Sequence, residues 1–284
     1  MGKALIFNGI TVTNPIQTVT FSDGLSPVVR SYISKLSTPV TDVQKEAFQT
    51  FYETLVNAGI WDKITLLYPM FGSVSDCAFG MKGDNIIIPT GTTYDKGINL
   101  TNASGGFGAE GKGIKIIDFF PTTAKTNYSL FVNYPYGWTS SQRGYVYVYA
   151  SDATRETGGD GRYFGQSYSS SNGWMNIRGS LVNELSAAVS AGTNGFFGET
   201  HAFGNNLAHY LYHNGVVISS LLDGYDSTTN IGKLGINASP HAGIDTHLMN
   251  VPINMIIVSN GYALSASDVT TLSTAVATLS AIIF

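Results

Sequence analysis

Seven short apolar runs after Pro69 constrain the fold of this chain more than any other feature of its sequence. They occupy residues 85–89, 114–120, 128–134, 145–151, 173–179, 194–199 and 253–260. Clusters of Gly, Ser, Asn and Asp separate them, which is the spacing of strands in an antiparallel sandwich. The sequence therefore predicts a mainly β protein.

One hairpin is predicted in detail. The stretch HYLYHNGVVISS, residues 209–220, places Asn214-Gly215 between two alternating apolar runs. Asn-Gly supplies the two positive φ angles of a type I′ turn, which matches the twist of the flanking strands. We expect an antiparallel strand pair here.

Two segments have helical periodicity. Thr41 and Gln44 fit a capping box, and Gly59 is a natural stop, so a helix over residues 42–58 is predicted. Its apolar face would comprise Val43, Ala47, Phe51 and Leu55. Near the C-terminus, Ser265 and Asp268 predict a capped helix whose apolar stripe comprises Val269, Leu272, Val276 and Leu279.

The composition limits the classes of partner. Charged residues make up 12% of the 284 residues and the net charge is −4, so no basic surface for nucleic acid is expected. Cys77 is the single cysteine, which excludes an internal disulfide and is typical of a small buried hydrophobe. No apolar run has the length of a bilayer span, so membrane insertion is not expected.

Motifs for cofactors and metals lack their structural context. Residues 106–111 fit G-x-G-x-x-G, but a strand-like run follows where the dinucleotide motif needs a helix, so a flexible glycine loop between strands is predicted here instead. His209 and His213 are four residues apart within a predicted strand, with no acidic ligand pattern beside them. We predict no cofactor and no metal, although three histidines brought together by loops remain an alternative.

Catalytic constellations are also missing from the sequence pattern. Glycoside hydrolysis needs two carboxylates on one face, and no predicted strand carries such a pair. The nucleophile elbow G-x-S-x-G does not occur either. We therefore expect a non-enzymatic protein with no catalytic residues.

An aromatic cluster is the most suggestive candidate surface. Tyr145, Tyr147 and Tyr149 alternate with valines and so share one face of a strand. Tyr134, Tyr136, Trp138 and Arg143 lie just before them. Such rings can stack on sugars or form a subunit interface. The general tendency of aromatic residues to be buried favours packing or an interface over a sugar site.

The segment GIWDKITLLYP, residues 59–69, joins the first helix to the β region. Ile60, Trp61, Ile64 and Leu67 would form the apolar side that docks the helical unit onto the sandwich. The sequence thus divides into a strand and helix segment over residues 1–70, for docking or attachment, and a β domain over residues 71–284.

The phrase NAGIWDKITLLYPMFG, residues 57–72, resembles a segment of structural proteins of tailed bacteriophages, especially those of gut Bacteroidetes. Residues 4–21 and 253–279 also resemble the opening strands and the closing strand and helix of such proteins. The resemblance implies a concanavalin A-like, or laminin G-like, jelly roll. The Glu-x-Asp-x-x-Glu strand of the hydrolytic members is missing here.

This resemblance implies a virion structural protein, such as a head or tail fibre or a decoration subunit, located in the virion. Other virion proteins would be its partners, it would form a homo-oligomer, and a host polysaccharide is a candidate ligand. A free carbohydrate-binding module or adhesin is the alternative, and a glucanase-like enzyme is the least favoured reading.

Overall fold

The computed structural model describes residues 5–7, 10–12, 23–84, 86, 88, 91–99, 106–107, 111–112, 114–116, 127–136, 144–149, 162–168, 172–178, 184–190, 192–202, 208–222, 233–236 and 252–284. The helices of this part are α1 Pro27–Ile33, α2 Asp42–Asn57 and α3 Ala266–Ile283, with 3₁₀ turns at Trp61–Lys63 and Asp76–Ala78. The strands are β1 Leu5–Phe7, β2 Ile10–Val12, β3 Leu66–Pro69, β4 Thr93–Tyr94, β5 Ile98–Asn99, β6 Gly106–Phe107, β7 Gly111–Lys112, β8 Ile114–Ile116, β9 Tyr128–Tyr134, β10 Gly144–Tyr149, β11 Arg162–Tyr168, β12 Asn172–Arg178, β13 Glu184–Ser190, β14 Gly195–His201, β15 Ala208–His213, β16 Val216–Leu222, β17 Lys233–Ile236 and β18 Met255–Asn260.

Two six-stranded antiparallel sheets form the sandwich. The helix-bearing sheet has the order β16-β15-β14-β9-β18-β3, and the distal sheet has the order β13-β12-β11-β10-β17-β8. Strand β13 contacts β15 and β16, so the two sheets face each other. The predicted mainly β sandwich is confirmed.

The helix-bearing sheet is the middle of three layers. All seven residues of β9 are buried, which requires cover on both faces of the strand. On one face, Phe131, Phe196 and Tyr212 share a hydrophobic core with α2 and α3. The residues of β9 on the opposite face are also buried, inside the sandwich.

The predicted first helix is confirmed as α2. Thr41 Oγ1 accepts a hydrogen bond from the Gln44 amide, and the Gln44 side chain returns a bond to the Thr41 backbone, as a capping box requires. Gly59 follows the helix with a φ of +66°. The placement of Val43 on the buried face was wrong, because Val43 is 65% exposed in the first turn, beside a groove between α2 and α3.

The predicted C-terminal helix is confirmed as α3. Ser265 caps it, and Asp268 completes the capping box. Its length and apolar composition would allow it to cross a membrane. One stripe of α3 is buried in the core with α2 and the helix-bearing sheet, which is typical of a core helix.

The turn predictions have different outcomes. Asn214 and Gly215 have φ angles of +49° and +81°, which confirms the hairpin of β15 and β16. The glycine tract at residues 106–111 was predicted to be a loop, but its ends pair as the short strands β6 and β7. Neither end begins a helix that could hold a pyrophosphate.

The segment at residues 59–69 lies where helices and sheet meet. Ile60, Ile64 and Leu67 are buried in the shared core. Strand β3 of this segment pairs with β18 and forms the edge of the helix-bearing sheet, whose other strands all come from later in the chain. The Lys63 ammonium also forms a 2.8 Å ion pair with Asp268 of α3.

Trp61 is less buried than its neighbours in this segment. It is partly buried against the core and packs edge-on against Tyr52, and its ring centroid lies 4.9 Å from the Lys82 ammonium. The expected 3 to 5 kcal/mol loss for a buried tryptophan therefore does not apply in full. Ile60, by contrast, is 0% exposed.

We expect Ile60→Ala to destabilise the protein more than Trp61→Ala. Removing the fully buried Ile60 side chain should lower the free energy of unfolding by about 3 kcal/mol, since a cavity remains. Trp61→Ala should cost about 2 kcal/mol, because part of the ring already contacts water. Urea denaturation of both variants measures the two losses of unfolding free energy, and a larger loss for Trp61→Ala would contradict the prediction.

Candidate functional site

The predicted aromatic cluster is divided by the structure. Tyr134 is only 3% exposed at the end of β9, whereas Tyr136, two residues later, is 38% exposed. Tyr145, Tyr147 and Tyr149 alternate along β10, within the distal sheet. Trp138 and Arg143 lie outside the described residues. Of the cluster, Tyr136 is thus the ring that the structure places at a described surface.

Tyr136 stands at the rim of a cavity that we call the amide basin. The basin has a volume of about 370 Å³ and lies between the C-terminal half of α3 and one end of the helix-bearing sheet. Its polar side chains come from Lys96, Asn133, Tyr136, Asn194, Asn214, Asn254, Ser273 and Ser280. Small-ligand sites commonly have volumes of about 300–1,000 Å³.

Strand register brings these asparagines together from four separate segments. Tyr134 at the end of β9 pairs with Gly195 at the start of β14, which places Asn194 beside Pro135. Asn133 pairs with Met255, so Asn254 lies at the same end of the sheet. The turn at Asn214 returns to Phe196 through two hydrogen bonds of 2.7 and 2.8 Å.

Two asparagines form the floor of the amide basin. Asn254 is 1% exposed and Asn133 is 8% exposed. The side-chain Nδ2 of Asn133 donates a 2.7 Å hydrogen bond to the side-chain Oδ1 of Asn254. The backbone N–H of Asn254 donates a 3.0 Å hydrogen bond to the backbone carbonyl of Asn133. The backbone and side-chain bonds together fix the orientation of both amides.

The rim is held by polar contacts around Tyr136. The phenol of Tyr136 donates to Asp95 Oδ1 at 3.3 Å, and the Lys96 ammonium lies 5.9 Å from the ring centroid. Partial burial and the Asp95 carboxylate raise the pKa of the Tyr136 phenol above its ordinary value, which already lies well above neutral pH, so the phenol is a hydrogen-bond donor. Lys96 has a φ of +49°, a conformation that is uncommon outside glycine.

The helix supplies a less polar wall opposite the rim. Ala277, Ala281 and Phe284 line the basin from α3 and its end, and Phe196 lies on the sheet side. A small cavity with an amide floor, an aromatic rim and an apolar wall can bind a ligand that carries both hydroxyl and methyl groups. Among the described lining residues there is no carboxylate side chain.

A second cavity of about 540 Å³ is a groove along the contact between α2 and α3. Threonines line much of it, and the hydroxyls of Thr54, Thr274 and Thr278 bond back to carbonyls of their own helix. Their methyl groups therefore give the groove an apolar character.

Polar residues also cluster inside the sandwich. Tyr128 donates a 3.1 Å hydrogen bond to Glu199, and the rings of His201 and His209 lie 3.6 Å apart. All four side chains are buried. His213 instead stacks on Phe197, so the two histidines of the predicted spacing have different surroundings. Within the described residues, no group of three or more His, Cys, Asp or Glu could hold a metal.

Cys77 has the surroundings expected from the sequence. It is fully buried, and burial raises the pKa of its thiol well above the ordinary value. The low thiolate content makes it a packing residue, as predicted.

Comparison with known proteins gives a likeness of fold. No protein-family model and no curated protein matches this sequence. A solved receptor-binding domain aligns at 14% identity and a TM-score of 0.50, over 76% of this chain and 52% of its own length. The botulinum neurotoxin serotype D binding domain aligns at 14% identity and a TM-score of 0.49, over 75% and 52% of the two chains. The CBM40 of a Ruminococcus gnavus IT-sialidase, solved with α2,6-sialyllactose, aligns at 14% identity and a TM-score of 0.39. The alignment covers 53% of this chain and 85% of the CBM40.

The chain spans about half the length of the receptor-binding domain and of the botulinum neurotoxin binding domain that it matches. At these low identities the likeness shows the fold alone.

Proposed function

We propose that this chain is a non-enzymatic attachment protein that binds a polysaccharide through the amide basin, and that it does so as a structural protein of a virion. The single observation that carries the binding function is the convergence of four asparagines beside the exposed Tyr136 ring. Sugars present hydroxyl groups and apolar ring faces, which amides and an aromatic ring complement.

The chemistry of the described basin suits binding. Amide and hydroxyl groups donate and accept hydrogen bonds but do not exchange protons readily near neutral pH. The floor amides are also fixed before a ligand arrives, because Asn133 and Asn254 bond to each other through side chain and backbone. Such preorganisation lowers the entropic cost of binding.

The virion context rests on the resemblance of residues 57–72 to tailed-phage structural proteins. A free carbohydrate-binding module would use the same amide basin, so the basin supports both candidates. They differ in assembly, because a virion fibre or decoration subunit is expected to be a homo-oligomer. Light scattering after size-exclusion chromatography measures this, and a stable monomer would favour the free module.

We expect Tyr136→Ala to weaken binding to every glycan that the protein recognises by about tenfold. The ring contributes roughly 1–2 kcal/mol through stacking and its hydroxyl, which corresponds to that ratio of dissociation constants. A panel of immobilised bacterial polysaccharides and defined oligosaccharides identifies the ligands, and titration calorimetry measures the loss.

Tyr262→Ala is the matched control, since Tyr262 is 51% exposed and does not line the amide basin. It should leave glycan binding unchanged. Failure of the parent protein to bind any glycan on the panel would refute the proposed function, and an equal effect of both variants would exclude the basin as its site.

A further inference from the structure

We infer that the amide basin recognises the acetamido group of an N-acetylated sugar. The inference rests on the proposed function and names the ligand class of the same site. It follows from the free hydrogen-bonding groups on the basin floor and from the apolar surface beside them.

Among the described residues, one acceptor atom and one donor atom of the floor make no hydrogen bond. In the described part of the chain, Asn133 and Asn254 share a single side-chain hydrogen bond, from Asn133 Nδ2 to Asn254 Oδ1. Asn133 Oδ1 and Asn254 Nδ2 therefore keep their capacity to bond. If both amides were rotated, the shared bond would reverse, and one donor and one acceptor would again remain.

This pair is complementary to another amide. An acetamido group has one N–H and one C=O, which can bond to the free acceptor and the free donor respectively. Both asparagines are more than nine-tenths buried, so leaving either group unpaired under a bound ligand would cost about 1–3 kcal/mol. A ligand that satisfies both is favoured.

The apolar wall of the amide basin favours the methyl group of an acetamido ligand. Phe196 lies beside Asn133 and Asn254 in the basin lining, and Ala277 and Ala281 line it from α3. A methyl group against these side chains gains hydrophobic contact, whereas a hydroxyl at the same position would face apolar atoms. The sugar with an acetamido group should thus bind better than the same sugar with a hydroxyl.

Matched pairs of oligosaccharides test this inference. The probes are tetramers of β1,4-linked N-acetylglucosamine and of β1,4-linked glucose, together with N-acetylgalactosamine and galactose as competitors. We expect the parent protein to bind the acetamido member of a pair at least tenfold more tightly. Equal affinity within each pair would overturn the inference while leaving glycan binding intact. Binding to no glycan of any kind would overturn the proposed function as well.

Two variants locate the preference. Asn254→Asp, assayed at pH 8, replaces the free donor by an acceptor and should reduce the preference to about twofold or less. Ala277→Leu fills the space for the methyl group from an exposed helix position, so it should act similarly without loss of stability.

The controls are Asn57→Asp on exposed α2 surface and Thr274→Leu on exposed α3 surface. A preference that survives in both basin variants would contradict the assignment, and the parent comparison decides the question if Asn254→Asp does not fold.

Discussion

Replacing Gly198 by alanine should destabilise the protein by about 3 kcal/mol or more. Gly198 in β14 lies opposite Phe131 of β9 and opposite Tyr212 of β15. A Cβ at this position would overlap the Phe131 ring and lie 2.5 Å from the Leu130 carbonyl oxygen. The neighbouring atoms are backbone and a fully buried ring, so they have little room to move.

The Phe131 ring explains why glycine is required there. It stacks on Phe196 with centroids 5.0 Å apart and lies under the helices in the shared core. The ring occupies the space above Gly198, so the strands pair closely without a side chain between them. Thermal and urea denaturation measure the loss.

A compensating substitution tests the cause. Phe131→Leu is itself destabilising. The double variant with Gly198→Ala should nevertheless lose less unfolding free energy than the sum of the two single losses, because the side chain that clashes with the new Cβ is smaller. Ser220→Ala, at an exposed position of β16, should change stability by less than about 0.5 kcal/mol. Additive losses in the double variant would contradict the proposed clash.

The helices and the hairpin could be predicted from sequence because their signals are local. Thr41 and Gln44 are three residues apart, and Asn214 and Gly215 are adjacent. Their conformations depend on hydrogen bonds and φ angles within one turn. Exposure was harder to predict, as Val43 and Trp61 show, because it depends on which distant element covers each side chain.

The amide basin could not be predicted in this way. The local pattern around each of its asparagines indicates a turn or a strand end, and nothing within a few residues indicates a shared site. The pairing of β9 with β14 and β18 brings them together across more than a hundred residues. Tyr136 could be proposed from sequence as an aromatic residue, but its exposure, in contrast to buried Tyr134, arises because β9 ends between them.

The three layers also relate the site to stability. The strand ends that form the amide basin belong to the buried middle sheet, whose positions are fixed from both faces. A site on such a scaffold keeps its geometry better than one on free loops. The same core that requires Gly198 therefore holds the floor of the basin.

Asp76 should make the protein acid-sensitive and should be costly to remove. It is 1% exposed and accepts six hydrogen bonds, from the backbone amides and hydroxyls of Ser37, Thr38 and Ser73, at distances of 2.5 to 3.2 Å. These bonds connect the loop between α1 and α2 to the turn after β3. Asp76→Ala would leave buried donors unpaired, and we expect a loss of about 3 kcal/mol or more.

The pH dependence follows from the same contacts. Burial by itself raises the pKa of Asp76, but the hydrogen bonds from Thr38, Ser37 and Ser73 outweigh it and lower the pKa from 3.8 to about 2. The folded state thus favours the carboxylate more than the unfolded state does. This stabilisation, about 2 kcal/mol, is complete above pH 4 and is lost as the pH falls from about 4 to about 2.

Urea denaturation between pH 7 and pH 2 measures this contribution. In Asp76→Asn the part of the acid loss that comes from position 76 should disappear, so the curve of unfolding free energy against pH becomes flatter below pH 4. Asp42→Asn is the matched control, because Asp42 also has a lowered pKa beside Lys45 but is 97% exposed. Water screens the ion pair between Asp42 and Lys45, so Asp42→Asn should leave the curve of unfolding free energy against pH nearly unchanged. Parallel curves for Asp76→Asn and the parent protein would show that the buried carboxylate does not hold the loop in the way its hydrogen bonds indicate.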